Sequence, residues 1–134
     1  MTAVFDTSTI ISGVFWRNES YRCLEALARR RYTLAISAEI FSEYVEKTYE
    51  VKDHEGFEED PKPFLDWLAL KARYFEPAPL PGPTCRDARD DKFLACALAA
   101  HAGYLVSRDD DLLHLGKPFG IAIVTPRQFL SRLG

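Results

Sequence analysis

The amino-acid sequence predicts an α/β protein with three layers, α/β/α, in which helices cover both faces of a central parallel sheet. Short β-prone runs alternate with helical segments along the whole chain, and no internal repeat interrupts this order. Acidic residues also stand where the first strand and a later strand are expected to end. With 134 residues, 47% of them hydrophobic, one domain spanning residues 1–134 is expected.

The first third of the chain is predicted to form a strand, a helix and a second strand. Residues 3–5 are β-prone and end at Asp6, and residues 13–20 are expected to form a loop. Apolar residues recur at helical spacing over 21–28, and three arginines that suit a helix C-terminus follow them. The run 32–36 is the second predicted strand.

The middle of the chain is predicted to form two helices joined by a loop. Ser37 is a favoured N-cap for the first helix. The charged stretch 51–62 contains one glycine and one proline, so it is expected to be an exposed connection. A second helix is expected at 63–72, and a short strand begins near residue 74. The proline-rich stretch 76–83 is expected to be a stiff linker.

The stretch 86–113 carries the strongest functional signal. The aspartate pair 90–91 precedes an apolar helix at 93–100, and three aspartates at 109–111 follow a predicted strand at 104–107. Carboxyl ends of parallel strands and helix N-termini open on the same side of a sheet, so both acidic groups are expected to face one crevice. A last strand and a closing helix are predicted at 121–124 and 126–133.

Acidic groups that meet in one crevice favour a bound cation. Carboxylates held together repel one another unless a cation neutralises them, and clusters with only oxygen ligands suit Mg²⁺ or Mn²⁺. The alternative is structural, because aspartate also caps helices and shapes turns. On that interpretation Asp6 and the pair at 90–91 start helices, and the aspartates at 109–111 form a turn.

Four segments of the chain resemble the PIN-domain family, and in particular its bacterial VapC-like toxin components. They are VFDTSTIISG, SAEIFSEYVEK, RDARDDKFLACALAAHAGYLVSRDDDLL and IAIVTPRQFL, in the family's order. The resemblance implies a metal-dependent ribonuclease whose catalytic acids are Asp6, Glu43, Asp91 and Asp109. Two departures are Ser8, where the family commonly has Asn, and Ser107-Arg108-Asp109 in place of a Thr-Gly-Asp type turn.

The resemblance also implies roles for the residues around these acids. Hydrolysis would use one or two Mg²⁺ or Mn²⁺ ions. The expected metal ligands are Asp6, Asp91, Asp109 and Asp111. Ser8 and Ser107 would orient the ligands through hydrogen bonds. The residues expected to contact RNA phosphates are Arg17, Lys92 and Arg108.

Composition limits the partners without deciding among them. The formal net charge is −3, so RNA would have to be met through local cations or bound metal. The three cysteines are widely spaced and no apolar run approaches membrane-spanning length, so reduced thiols and a cytoplasmic location are expected.

The resemblance further implies a homodimer and an antitoxin partner, with Phe15, Trp16 and Tyr21 available for these contacts. A different class of function stays open, namely a non-catalytic RNA- or protein-binding module on the same scaffold.

Overall fold

The computed structural model describes all residues 1–134 and contains one sheet of five parallel strands. The strands are β1 (Thr2–Phe5), β2 (Thr33–Ile36), β3 (Arg73–Tyr74), β4 (Tyr104–Val106) and β5 (Ala122–Val124). Their order across the sheet is β3-β2-β1-β4-β5, and every neighbouring pair is parallel. The predicted parallel sheet is therefore confirmed.

Helices connect and cover the strands. They are α1 (Thr7–Phe15), α2 (Glu19–Ala28), α3 (Ala38–Glu55), α4 (Lys62–Lys71), α5 (Asp91–Ala99), α6 (Asp110–Leu113) and α7 (Pro126–Leu133). Two short 3₁₀ turns, Ala88–Asp90 and Pro118–Gly120, precede α5 and β5. No helix is both long and apolar enough to cross a membrane. All three cysteines are buried free thiols.

The direction in which the chain builds the sheet reverses beside β1. From β1 the connections lead outward to β2 and β3, and the chain then returns across the sheet to β4 and β5. Because crossovers between parallel strands are right-handed, the two directions place helices on opposite faces. The protein therefore has the predicted α/β/α layers. Sheets of this kind bind ligands at the carboxyl edge where the order reverses, which here lies between β1 and β4.

Aromatic side chains fix the elements that surround this reversal point. Phe5 at the end of β1 stacks on Tyr32 at 5.8 Å between ring centroids, and Phe129 of α7 meets both rings edge-on. The Tyr44 hydroxyl on α3 donates to the Phe5 carbonyl oxygen at 2.6 Å. Helix α3 is thereby tied to the last residue of β1, one position before Asp6.

Two segments predicted as loops, 13–20 and 51–62, are partly helical. Gly13 lies inside α1, and residues 51–55 form the last turns of α3, which ends at Gly56 with a φ of 70°. Gly13 serves close packing rather than a turn, because a Cβ there would lie 2.7 Å from Leu24 Cδ1 on α2. The charged stretch after Glu50 is exposed, as expected, but its exposure belongs to a helix surface.

Candidate active site

Asp6 lies directly after β1, at the reversal point of the sheet, and is almost completely buried. Its Oδ1 accepts hydrogen bonds from the Thr9 amide at 3.0 Å and the Ser8 hydroxyl at 3.4 Å, and its Oδ2 accepts one from the Ser107 hydroxyl. Burial raises the pKa of Asp6, although the bonds from Ser107, Thr9 and Ser8 oppose the rise. Asp6 therefore caps α1 and also holds a carboxylate whose ionisation a nearby cation would favour.

Ser107 connects the ends of β1 and β4. Its buried hydroxyl donates to Asp6 and accepts the backbone amide of Asp109 at 2.9 Å. The Asp109 carboxylate in turn accepts the Asp111 amide at 3.0 Å and so caps α6. Asp111 is about half exposed and pairs with Arg86 at 3.3 Å. Asp109 is thus placed beside Asp6 by the two adjacent strands, whereas Asp111 contacts an outer loop.

Glu43 reaches the same edge from α3. One of its carboxylate oxygens accepts a hydrogen bond from the Thr7 hydroxyl, and the other lies 2.9 Å from the ammonium of Lys92. The side chains of Lys92 and Glu43 are only 10% and 25% exposed. Lys92 was expected to contact RNA phosphates, but in the structure its charge neutralises Glu43.

Asp90 and Asp91 stand in different surroundings although they are adjacent in sequence. The Asp91 carboxylate accepts the amides of Cys85 at 2.7 Å and Thr84 at 3.3 Å. Partial burial works against its ionisation, but these hydrogen bonds outweigh it and hold the pKa of Asp91 below its ordinary value. Asp91 thus fastens the loop ahead of α5, and its expected role as a metal ligand stays a prediction.

Asp90 is the residue on which the negative charge converges. Its pKa is raised to about 6 by burial, followed by the charges of Asp87, Asp109 and Asp6, against a smaller opposing effect of Lys92. Asp90 also lines a depression of about 310 Å³ together with Thr7, Ser8 and Glu43, which we term the acidic crevice. The structure therefore places Asp90 near Asp6, Asp109 and Glu43.

These acids do not yet form a ready coordination sphere. No three carboxylate, imidazole or thiol side chains are placed to hold one ion together. Hydroxyl groups, a backbone amide and Lys92 are the partners of the Asp6, Glu43 and Asp109 carboxylates instead. The donor set itself, oxygen only and anionic, fits Mg²⁺ or Mn²⁺.

Comparison with known families assigns the chain. A family model described as PIN domain matches residues 2–111. The chain belongs to the PIN-domain family. The match runs from β1 into α6 and so contains every acid described above. A search among curated proteins gave no match. PIN domains are generally metal-dependent nucleases, so this fold is a nuclease fold.

Two arginines flank the acids of this PIN domain. The Arg108 guanidinium donates to the Ser12 hydroxyl at 2.7 Å, and the Arg17 guanidinium lies 4.2 Å above the ring of Tyr21. Neither forms an ion pair with a carboxylate. Both cations are therefore available to an anionic ligand, unlike Lys92.

Two residues of the acidic crevice, Asp90 and Thr7, were not among the site residues expected from the sequence. The sequence marked the pair 90–91 but could not separate its members, because Asp90 and Asp91 each precede buried residues of α5 by three and four positions. Thr7, which donates to Glu43, had no such signal, because the contact joins residues 36 positions apart.

Proposed function

We propose that this PIN domain is an endoribonuclease that hydrolyses RNA phosphodiester bonds with one or two Mg²⁺ or Mn²⁺ ions. The observation that carries the proposal is the convergence of negative charge on Asp90, whose pKa is about 6 because of burial and the charges of Asp87, Asp109 and Asp6. A fold that gathers charge at a ligand-binding edge, at a cost in stability, is typical of a functional site.

The residues that would hold the metal are Asp6, Asp90, Asp109 and Glu43. A divalent ion bound to them supplies an activated water and neutralises charge on the phosphate as the bond is cleaved. Ser107 fixes the orientation of Asp6, and the Tyr44 bond to Phe5 fixes the position of α3 and hence of Glu43. The expected ligands Asp91 and Asp111 would support the site from the adjoining loops.

The chain's own cations would bind the substrate. Arg108 and Arg17 lie on the side of the acids where α1 meets α2, and neither is neutralised by a carboxylate. An acidic site requires such flanking cations, since the RNA backbone is itself anionic. Lys92 would contribute indirectly, by holding Glu43 in place.

Cleavage of a fluorescently labelled single-stranded RNA tests the proposal. The wild-type protein is expected to cleave it with Mg²⁺ or Mn²⁺ and to stop when the metal is chelated. Asp6→Asn and Asp90→Asn should each lower the rate at least about a hundredfold, because each removes ligand charge with little change of volume. Asp66→Asn, which changes an exposed acid paired with Lys62 on α4, is the matched control and should keep the rate within a few-fold.

Two outcomes would contradict this assignment. Equal rates for wild type and both site variants would show that the cleavage comes from a contaminant. Tight RNA binding by wild type without cleavage under any metal condition would instead support the second class of function, a non-catalytic binding module.

We further propose that the chain is the toxin component of a type II toxin-antitoxin system and acts in the cytoplasm. Support comes from the VapC-like sequence segments and from an apolar groove of about 370 Å³ between α1, α2 and the start of α4, which a partner segment could cover. Induced expression in a bacterial host should arrest growth with wild type but not with Asp6→Asn. Harmless expression of a protein that is active in vitro would argue against the toxin role.

A further inference from the structure

A second groove adjoins the acidic crevice. It has a volume of about 700 Å³, and it shares Ser8, Ile11 and Val51 with the crevice. Its remaining wall is polar and cationic apart from one aromatic ring and one acid, and consists of Ser12, Trp16, Arg17, Asn18, Glu55 and Arg108. A polymer bound in the acidic crevice can therefore extend along the protein surface into this groove.

Trp16 presents an indole to this groove. Trp16 is 45% exposed. It is the C-cap residue that follows α1, and its backbone amide donates to the Ser12 carbonyl oxygen. Phe57 and Phe15 contact the indole at 5.7 and 6.1 Å between centroids, and both meet it at nearly a right angle. No other ring of the protein is stacked parallel to the indole, so parallel stacking remains available to a ligand.

The wall that carries Trp16 is fixed by a hydrogen-bond network. The Ser12 hydroxyl accepts from Arg108 and from the Asn18 amide group, each at 2.7 Å, and the Ser12 carbonyl accepts the Trp16 amide at 3.1 Å. The Asn18 side-chain oxygen accepts the Tyr21 amide at 3.2 Å and caps α2. The Trp16 backbone and the Arg108 guanidinium are thereby both held by Ser12.

We propose that this groove binds a single-stranded segment of nucleic acid next to the cleaved bond, with one base stacked on Trp16 and phosphates at Arg17 and Arg108. The combination of a stacking ring with unpaired cations is how proteins hold single strands. A duplex fits this arrangement poorly, because both faces of each paired base are already covered. The inference rests on the proposed ribonuclease function for the identity of the strand, which is RNA.

Tryptophan fluorescence gives a direct test. The chain has two tryptophans, and the other, Trp67, packs on Phe64 of α4. In an Asp6→Asn, Trp67→Phe background the only indole is Trp16 and cleavage does not interfere. Titration with a ten-nucleotide single-stranded RNA is expected to quench this fluorescence to saturation. The same sequence as a duplex should quench weakly. Single-stranded DNA of that sequence shows whether the groove distinguishes ribose from deoxyribose.

Binding of labelled RNA to further variants gives the matched comparison. In the Asp6→Asn background, Trp16→Ala should weaken binding at least about tenfold, whereas Trp16→Phe should lose less because a ring remains. Phe119→Ala is the control, because Phe119 is equally exposed at 45% but lies outside the groove. If Trp16→Ala does not fold, the quenching experiment still decides, since it leaves Trp16 in place.

The outcomes separate this inference from the proposed function. Binding within twofold of the parent for folded Trp16→Ala, or equal quenching by duplex and single strand, would overturn the stacking site even if wild type cleaves RNA. Saturable quenching by a single strand, combined with a wild-type protein that never cleaves, would support the groove while removing the nuclease assignment.

Discussion

At the residue scale, the acids of this site are held in place by partners that a bound metal must replace or complement. Asp6 accepts bonds from three donors, Glu43 is paired with Lys92, and Asp109 caps a helix. Each carboxylate therefore has a structural partner in the folded chain without metal. Asp90 differs from them, because neighbouring carboxylates add to the effect of burial in raising its pKa.

Metal affinity is expected to depend on pH through Asp90. Its pKa of about 6, against an ordinary value of 3.8, means that protons compete with the cation below pH 6. Affinity for Mg²⁺ should therefore fall as the pH is lowered from 7.5 to 5, by up to about tenfold per unit below the pKa. Metal titrations followed by the thermal midpoint measure this dependence. Asp90→Asn should bind more weakly and show a flatter dependence, and identical profiles for both proteins would contradict the assignment.

Removal of Lys92 should make the protein more dependent on metal. Lys92→Met keeps an apolar side chain but leaves the Glu43 carboxylate mostly buried without its counter-charge. We expect a loss of about 1–3 kcal/mol in the free energy of unfolding without metal, and a larger Mg²⁺-induced rise of the thermal midpoint than in wild type.

The chain offers a matched control for that variant. Lys47 pairs with Glu50 at 3.2 Å on the same helix as Glu43, but these side chains are 46% and 55% exposed. Lys47→Met should therefore change the unfolding free energy by less than about 0.5 kcal/mol. Similar effects for both variants would mean that burial of the Lys92 pair is unimportant.

At the scale of elements, the contact between α1 and α2 depends on Gly13. Alanine has the higher helix propensity by about 1 kcal/mol, but its Cβ would lie 2.7 Å from Leu24 Cδ1 and 3.0 Å from the Ser20 carbonyl oxygen. We expect Gly13→Ala to lower the unfolding free energy by about 1–3 kcal/mol, measured by chemical denaturation. Gly103→Ala is the control, since no atom lies within 4 Å of its Cβ position. Stabilisation by Gly13→Ala would contradict the packing argument.

Gly13 also shows where prediction from sequence fails. A glycine a few residues ahead of the polar run 17–20 favours a loop, and only the position of Leu24 on the next helix shows that this glycine serves packing. The charged residues 51–55 misled in the same way, because an exposed helix end and an exposed loop have similar compositions. Strands β1, β2 and β5 were easier to predict, since each is a short β-prone run followed directly by the N-cap residue of a helix.

The acidic residues likewise divide into those whose position the sequence predicts and those whose position it does not. Asp6 and Asp109 follow strands, so the parallel sheet alone places them at one edge. Which of Asp90 and Asp91 faces the acids depends on where α5 begins, and the 3₁₀ turn at Ala88–Asp90 sets that start. Helix starts are uncertain by one or two residues in sequence-based reasoning, and one residue rotates a side chain by about 100°.

At the scale of the whole molecule, the expected homodimer requires exposed apolar residues that can form the contact between two copies. Of the aromatics expected to serve contacts, Phe15 and Tyr21 are half-buried, whereas Leu70 at the end of α4 is 87% exposed and Tyr74 on β3 is also exposed. Light scattering at micromolar concentration should give twice the 15.2 kDa mass of the chain. Leu70→Asp is expected to shift the protein toward monomer, because it places a charge on apolar surface. A wild-type mass of one chain would refute the dimer.

The two outer strands of the sheet determine how copies of this chain can associate. β3 has two residues and β5 has three, so each edge offers only a very short row of unpaired backbone groups. Open edges of greater length act as templates for the strands of other chains and lead to aggregates. In the folded protein both edges offer little of such a template, so concentrated native samples should resist fibrous aggregation, and specific assembly is left to the side chains on the helices.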